Sequence, residues 1–456
     1  MSKKISDDLN TFNQLAKYLI DSSKKMGVSK YIEAEKVLTN FNIELNENEI
    51  SDKKLVEYLK KIISYTPKTS TNLFFNQLFG GIDSKAMLGD LLAVILNNSM
   101  STYKIAGPMI LIEKEIIKNV CKIINYPSNS GGTIPTGGSM SNFMSMVLAR
   151  DKKIKSIKHK GISDKLICYT SDNSHYSISK NASFTGIGKD NVRYINTNHF
   201  GEMITKDLEI AIKKDIKNGH VPFLINATMG TTVMGAIDPL NDISSICQKY
   251  SLWMHVDGAY GGATIFSKKY NNLNKGIEKS DSFCFNAHKT LGAPLSSSIF
   301  VVREKNHLHY SFQNEAEYLY QTDSDEYNLG KSSFECGRRN NSLKFWTLWK
   351  SIGTEGLSYK IDHNYYLANI AYDYVKNNTN YTLFSKKNSL SICFNYKDYD
   401  PIQICTNLYK NNILMVGYGE CNGNVFIRMV CVNRENDKED ILNFFKYLEN
   451  FADNKN

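Results

Sequence analysis

A chain of 456 residues with 42% hydrophobic and 22% charged residues reads as an ordinary globular protein, long enough for two or three domains and a large buried core. Its formal net charge of +9 raises nucleic-acid binding, but the densest basic run, "DKKIKSIKHKGISDK" (151–165), has no interleaved aromatics and no recognition motif. No long apolar run or signal-peptide core is present, and nine cysteines without paired spacing fit free thiols, so a cytoplasmic protein off the membrane is expected, with no CxxC or HExxH spacing to hold zinc.

In chain order, the first seventy residues read as helical. In "SDKKLVEYLKKIISY" (51–65), Leu55, Leu59, Ile62 and Ile63 recur at helical spacing, with Ser51 or Asp52 as the cap. From about residue 80 to 300, helical patterns alternate with the short apolar runs "KLICYTS", "VRYIN", "VPFLINAT", "LWMHVD" and "SSIFVVR". That alternation predicts an α/β fold with a mostly parallel sheet and helices on both faces. The basic run at 151–165 reads as a solvated loop or helix end. Towards the C-terminus, "SLSICFNY" and "NVFIRMVCV" look like strands and "DKEDILNFFKYLENFA" like a closing helix. The expected division is an N-terminal helical segment (1–70), a large domain (71–345) and a small α+β domain (346–456).

Four stretches fall at strand exits or helix starts, where open α/β sheets place their ligands. The first, "PTGGSMSNFMSMVLAR" (135–150), is a glycine turn feeding a helix. Gly137 and Gly138 permit close backbone approach, and Ser139, Ser141 and the first helix amides are suited to a phosphate. A turn that merely caps a helix reads the same way, and neither a Walker loop nor GxGxxG is present, so nucleotide binding is not expected. The second, "SDNSHYSISK" (171–180), puts His175 at a strand exit, where a lone histidine is more often structural. In the third, "HVDGAYGG" (255–262), Asp257 ends a strand ahead of small residues that admit something flat; an aspartate there can also be a plain turn former.

The fourth stretch, "NAHKT" (286–290), follows an apolar run. Burial disfavours the charged form of a lysine, which makes Lys289 a candidate nucleophile for a carbonyl, unless its head escapes to solvent. Jointly the four stretches answer the needs of pyridoxal phosphate: a lysine for its aldehyde, a carboxylate for its pyridine nitrogen, a phosphate cradle and a group over the ring. Lys289, Asp257, the 137–141 turn and His175 supply these in turn.

With these motifs the chain resembles the group II pyridoxal-phosphate decarboxylases of the aspartate-aminotransferase type, fold type I. More narrowly it resembles their acidic-amino-acid branch, which holds glutamate, cysteine-sulfinate and aspartate decarboxylases. The similarity runs from about residue 70 to the C-terminus and is carried by "FFNQLF", "TYKIAGPM", "SHYSISK", "NATMGTTVMGAIDPL", "LWMHVDGAYGG", "NAHK", "ECGRR" and "LKFWTLWK". The resemblance implies that Lys289 forms the Schiff base, that Asp257 partners the pyridinium and that His175 stacks over the ring. By the same matching Thr228 lies near the cofactor hydroxyl and the substrate carboxylate, and Ala259 lies under the ring. Gly138, Ser139, Met140, Ser141, Asn286 and His288 fall on positions around the phosphate.

The region 311–335 is polar and tyrosine-rich, and on its own reads as a surface loop. The resemblance makes it a mobile loop that covers the partner subunit's site in a homodimer, with Tyr327 protonating the substrate's Cα. Arg428 falls on the arginine for the distal acid group, and Gln77 lines the same region. Phe79 and Ser139 stand where glutamate decarboxylases tend to have serine and alanine. A bulkier ring shortens the pocket, although one methylene discriminates by only about 1–3 kcal/mol. The implied reaction is α-decarboxylation of aspartate to β-alanine or cysteine sulfinate to hypotaurine, with glutamate to GABA as the runner-up. A transaminating or aldehyde-forming enzyme and a non-catalytic binding protein are the other classes. The chain departs from the family pattern at Thr136 and Ala287, each usually proline, and at Gly258, usually alanine.

Overall fold

The computed structural model describes residues 3–23, 27–313 and 324–454. The apolar runs become strands: β1 (Phe74–Phe75), β2 (Gly131–Thr133), β3 (Leu166–Ser171), β4 (Val192–Ile195), β5 (Val221–Thr228), β6 (Trp253–Gly258), β7 (Ser282–Asn286) and β8 (Ser298–Val302). Four more follow: β9 (Tyr381–Leu383), β10 (Ser391–Tyr396), β11 (Met415–Cys421) and β12 (Asn424–Val430). Among the described residues these strands form two sheets.

The larger sheet has the order β2-β8-β7-β6-β5-β3-β4. Strands β7, β6, β5, β3 and β4 run parallel to one another, while β8 runs antiparallel to both β2 and β7. Both faces are covered, because successive side chains alternate sides and both sides are apolar. Ile167, Tyr169, Ile225, Val256, Phe283 and Val301 pack to one side with the helices Thr205–Lys217 and Leu240–Tyr250. Leu166, Cys168, Leu224, Trp253, Cys284 and Phe300 pack to the other, under the helices Gly138–Lys153 and Ser177–Phe184. This is the mostly parallel, helix-flanked sheet expected from the alternating pattern.

The smaller sheet, β1-β11-β12-β10-β9, is antiparallel except where β1 adds to β11 in parallel. It packs against the helices Pro401–Lys410 and Lys438–Asp453. A long helix, Ser342–Lys376, joins the two units. Its Phe345 and Leu348 enter the core of the large sheet, and its Leu367, Ala368 and Ala371 enter that of the small one. The cap expected at Ser51 is present, accepting from the Lys54 amide at 3.4 Å, and the closing helix begins with a reciprocal capping box of Asp437 and Asp440.

Candidate active site

The parallel strands end at one rim, and four of the five ends deliver a polar side chain there. Strand β3 leads into the turn that carries His175, β5 ends on Thr228, β6 carries Asp257 one residue before its end, and β7 ends on Asn286 ahead of His288 and Lys289. The helix Gly138–Lys153 begins at the same rim. Together they enclose a cavity of about 320 Å³. Every cofactor-side residue expected from the sequence lines it except Ser141, which lies buried beneath with its hydroxyl 2.8 Å from Ser298 Oγ.

Strand alternation explains the placement of Asp257. Trp253, His255 and Asp257 share the face under the helix Gly138–Lys153, while Met254 and Val256 point into the opposite core. The Asp257 carboxylate accepts from Asn142 Nδ2 at 2.7 Å and from the Ala259 amide at 3.0 Å. Burial lowers the pKa of Lys289 below that of an ordinary lysine, and the charges of Asp257 and Cys284 only partly oppose it. Burial likewise lowers His175, with Asp257 pulling up and Lys289 pushing down. His288 is pushed down to about 4, chiefly by burial, and its Nδ1 accepts the Ser297 amide at 2.9 Å.

The substrate-side residues lie further out. Arg428 sits on β12 opposite Gly417 of β11 and Cys393 of β10. Its terminal nitrogens donate to the carbonyls of Thr232 (3.1 Å) and Asn76 (2.6 Å), and its Nε is buried without a partner among the described residues. Thr232 lines the cavity, so the guanidinium stands one residue behind its wall. Phe79 is half-buried and Gln77 exposed, and neither lines the cavity of this chain. Tyr327 is also elsewhere: it packs 5.9 Å from the Tyr103 ring, with Lys114 Nζ 4.6 Å from its own ring centre. Within the expected loop, residues 314–323 lie outside the described residues.

The sequence reading missed Asn142, Tyr176, Gly230, Thr232 and Tyr260, which complete the lining together with the turn residues Thr136 and Gly137. Asn142 had a signal. It follows Gly138 by four positions on the same helix, so the two share a face.

Residues 35–397 match the sequence profile described as "Pyridoxal-dependent decarboxylase conserved domain". The acidic amino acid decarboxylase GADL1 of Homo sapiens is 35% identical over 424 residues, covering 88% of this chain and 81% of that protein. The cysteine sulfinic acid decarboxylase of Rattus norvegicus is 36% identical over 374 residues, covering 80% of this chain and 76% of its own length. The crystal structure of mouse CSAD superposes with a TM-score of 0.91 at 31% identity, covering 97% of this chain and 98% of that one.

Proposed function

The chain belongs to the pyridoxal-dependent decarboxylases, and from that premise we propose that it removes the α-carboxylate of a short acidic L-amino acid: aspartate to β-alanine or cysteine sulfinate to hypotaurine, ahead of glutamate to GABA. The observation that carries this reading is the convergence of Lys289, Asp257, His175 and the Gly138 helix start on one cavity. That cavity suits pyridoxal phosphate. A Cβ on Gly138 would stand 2.8 Å from Ala259 Cβ, so the glycine keeps a slot open. Thr228 Oγ1 and Asn286 Oδ1 are buried with no partner among the described residues and are available to a bound group. The helix Gly138–Lys153 offers its first amides to an anion.

When bound, pyridoxal phosphate supplies an aldehyde for an amine and a ring that takes up the electron pair released at Cα. The chain's own residues do the rest. Lys289 Nζ is the amine, and burial keeps a larger share of it unprotonated and nucleophilic. Asp257 is the carboxylate for the ring nitrogen and His175 the group for the ring face, with Ala259 on the other side. Gly138, Ser139, Met140, Asn286 and His288 form the phosphate cradle, which Ser141 supports from below. Thr228 orients the α-carboxylate. Arg428 takes the distal acid group, for which its unpaired Nε is suited. Ser139 lines that end in this chain, and by the family resemblance Phe79 and Gln77, which lie outside this chain's cavity, limit its length.

Tyr327 Oη delivers a proton to Cα from a second copy of the chain. A homodimer is supported by the helix Ser84–Leu96, which leaves Met87, Leu88, Leu92, Val94 and Ile95 exposed in a single chain. Nine unpaired cysteines support a cytoplasmic setting.

The test is carbon dioxide release from aspartate, cysteine sulfinate and glutamate measured side by side, with Lys289→Ala expected to abolish all three. A kcat/KM on glutamate equal to or above the others overturns the preference for the shorter acids. Undiminished release by Lys289→Ala overturns the mechanism.

A further inference from the structure

His255 precedes Asp257 by two residues on β6, and both face the helix Gly138–Lys153. Into the space between them that helix projects Asn142, which is 2% exposed. The hydrogens around its carboxamide can all be assigned from the network. Nδ2 lies 2.7 Å from Asp257 Oδ2 and 3.0 Å from Ser177 Oγ, which uses both of its hydrogens. Oδ1 lies 3.0 Å from His255 Nε2, so that ring nitrogen carries a hydrogen. His255 Nδ1 then accepts from the Ser282 hydroxyl at 2.8 Å. The Ser282 oxygen in turn receives Trp253 Nε1–H and the Ser145 hydroxyl, each at 2.9 Å.

The other arm runs to His175. The Ser177 amide donates to His175 Nδ1 at 3.2 Å, so that nitrogen is an acceptor and the Ser177 hydroxyl, 2.8 Å away, also donates to it. His175 therefore carries its hydrogen on Nε2. Flipping the Asn142 amide would set its oxygen against the Asp257 carboxylate and its NH₂ against a ring nitrogen. Only one arrangement satisfies every member. Burial pushes His255 down to about 4, in keeping with a single ring hydrogen.

We propose that Asn142 is the positioning residue of this site: one carboxamide aims the Asp257 carboxylate and, through Ser177, the His175 imidazole, and His255 locks its orientation. The proposal rests on the reading of Asp257 and His175 as the groups that meet pyridoxal phosphate. It assigns to one buried amide the relative orientation of two groups, one on strand β6 and one in the turn after β3. Without it the carboxylate keeps the Ala259 amide but loses its side-chain donor on Oδ2, and the Ser177 hydroxyl loses the donor that holds it beside His175 Nδ1.

The experiment compares wild type with Asn142→Asp, Asn142→Ala and Ser177→Ala. It reads the dissociation constant of pyridoxal phosphate, the pH titration of the bound cofactor's visible absorbance, and kcat. Asn142→Asp keeps the side chain's size and replaces a donor by a second carboxylate beside Asp257, so it carries the comparison if Asn142→Ala weakens the fold. Both Asn142 variants are expected to hold the cofactor about tenfold or more weakly, since each loses a hydrogen bond to a charged group. Their titration midpoints are expected to move by about one pH unit or more. Ser177→Ala cuts only the His175 arm, and is expected to lower kcat with the midpoint unmoved.

Wild-type affinity and midpoint in both Asn142 variants overturn the proposal, as does a loss confined to kcat. A wild type that binds pyridoxal phosphate but releases no carbon dioxide sinks the proposed reaction, while the affinities still decide the role of Asn142. A wild type that binds no cofactor ends both.

Discussion

The amine of Lys289 lies where burial costs its protonated form more than Asp257 and Cys284 return. Removing the carboxylate of Asp257 takes away the attraction that opposes this fall, so the amine of Asp257→Ala loses its proton at a still lower pH. Uptake of pyridoxal phosphate by the cofactor-free protein, followed against pH, is expected to begin its rise at lower pH in the variant than in wild type. A rise displaced to higher pH contradicts this account. The departures at Gly258 and Ala287 have packing reasons. A Cβ at Gly258 would lie 2.7 Å from the Cys284 carbonyl and 2.8 Å from Phe283 Cε2, and the Ala287 amide donates to Ser297 O at 3.0 Å, which a proline would forgo. Nothing in the structure explains Thr136. Gly258→Ala is expected to destabilise by about 1–3 kcal/mol in denaturant titration, and adding Phe283→Leu to recover part of it. Lys289, Asp257 and His175 could be read from the sequence because each joins a reactive side chain to a strand end. Asn142 offered only its helical spacing from Gly138, because the rest of its place depends on partners 35, 113 and 115 positions away.

Among the elements, those with long apolar periods were readable and the short ones were not. The runs that became β3, β4, β5, β6 and β8 stood out by their length and β-branched content, as did the two capped helices at 52–65 and 438–453. Strand β7, "SFCFN", has no β-branched residue to mark it as a strand. Strands β1, β2 and β9 have only two or three residues, too few for any period to appear. The helix Ser342–Lys376 hides a different feature, a break at Gly353 with φ 68° and ψ 178°. That conformation is essentially restricted to glycine, and nothing among the described residues lies within 4 Å of where a Cβ would stand. The cost of Gly353→Ala is therefore the backbone's own, and a loss of about 1–3 kcal/mol is expected from chemical unfolding. No loss would mean that the two halves join smoothly in solution.

At the scale of the whole molecule, the position of Tyr327 is the informative fact. It packs with Tyr103 and Leu329, against a cluster of Met100, Ala106 and Ile110, outside its own chain's cavity. No local pattern in a sequence records which copy a side chain serves, and only the family resemblance raised the question. Mixed dimers answer it. Lys289→Ala and Tyr327→Phe are each expected to be nearly inactive. Refolded together in equal amounts, they are expected to regain about a quarter of wild-type activity if Tyr327 acts across a twofold dimer, since half the dimers are mixed and each holds one intact site. No recovery would place the tyrosine in its own chain's site.

The two-residue strand β1 has an evolutionary consequence. By joining β11 it fastens the segment that begins at Asn76 to the same small sheet that carries Arg428, and the Asn76 carbonyl receives that guanidinium directly. Asp257 lies on the large sheet, and His175 and Lys289 lie in the turns that leave its strands β3 and β7. On the roles proposed above, the group for the far end of a substrate and the groups for its near end are thus inherited on different supports. Descendants of such a chain can drift in which acid they accept without disturbing the machinery that breaks the bond.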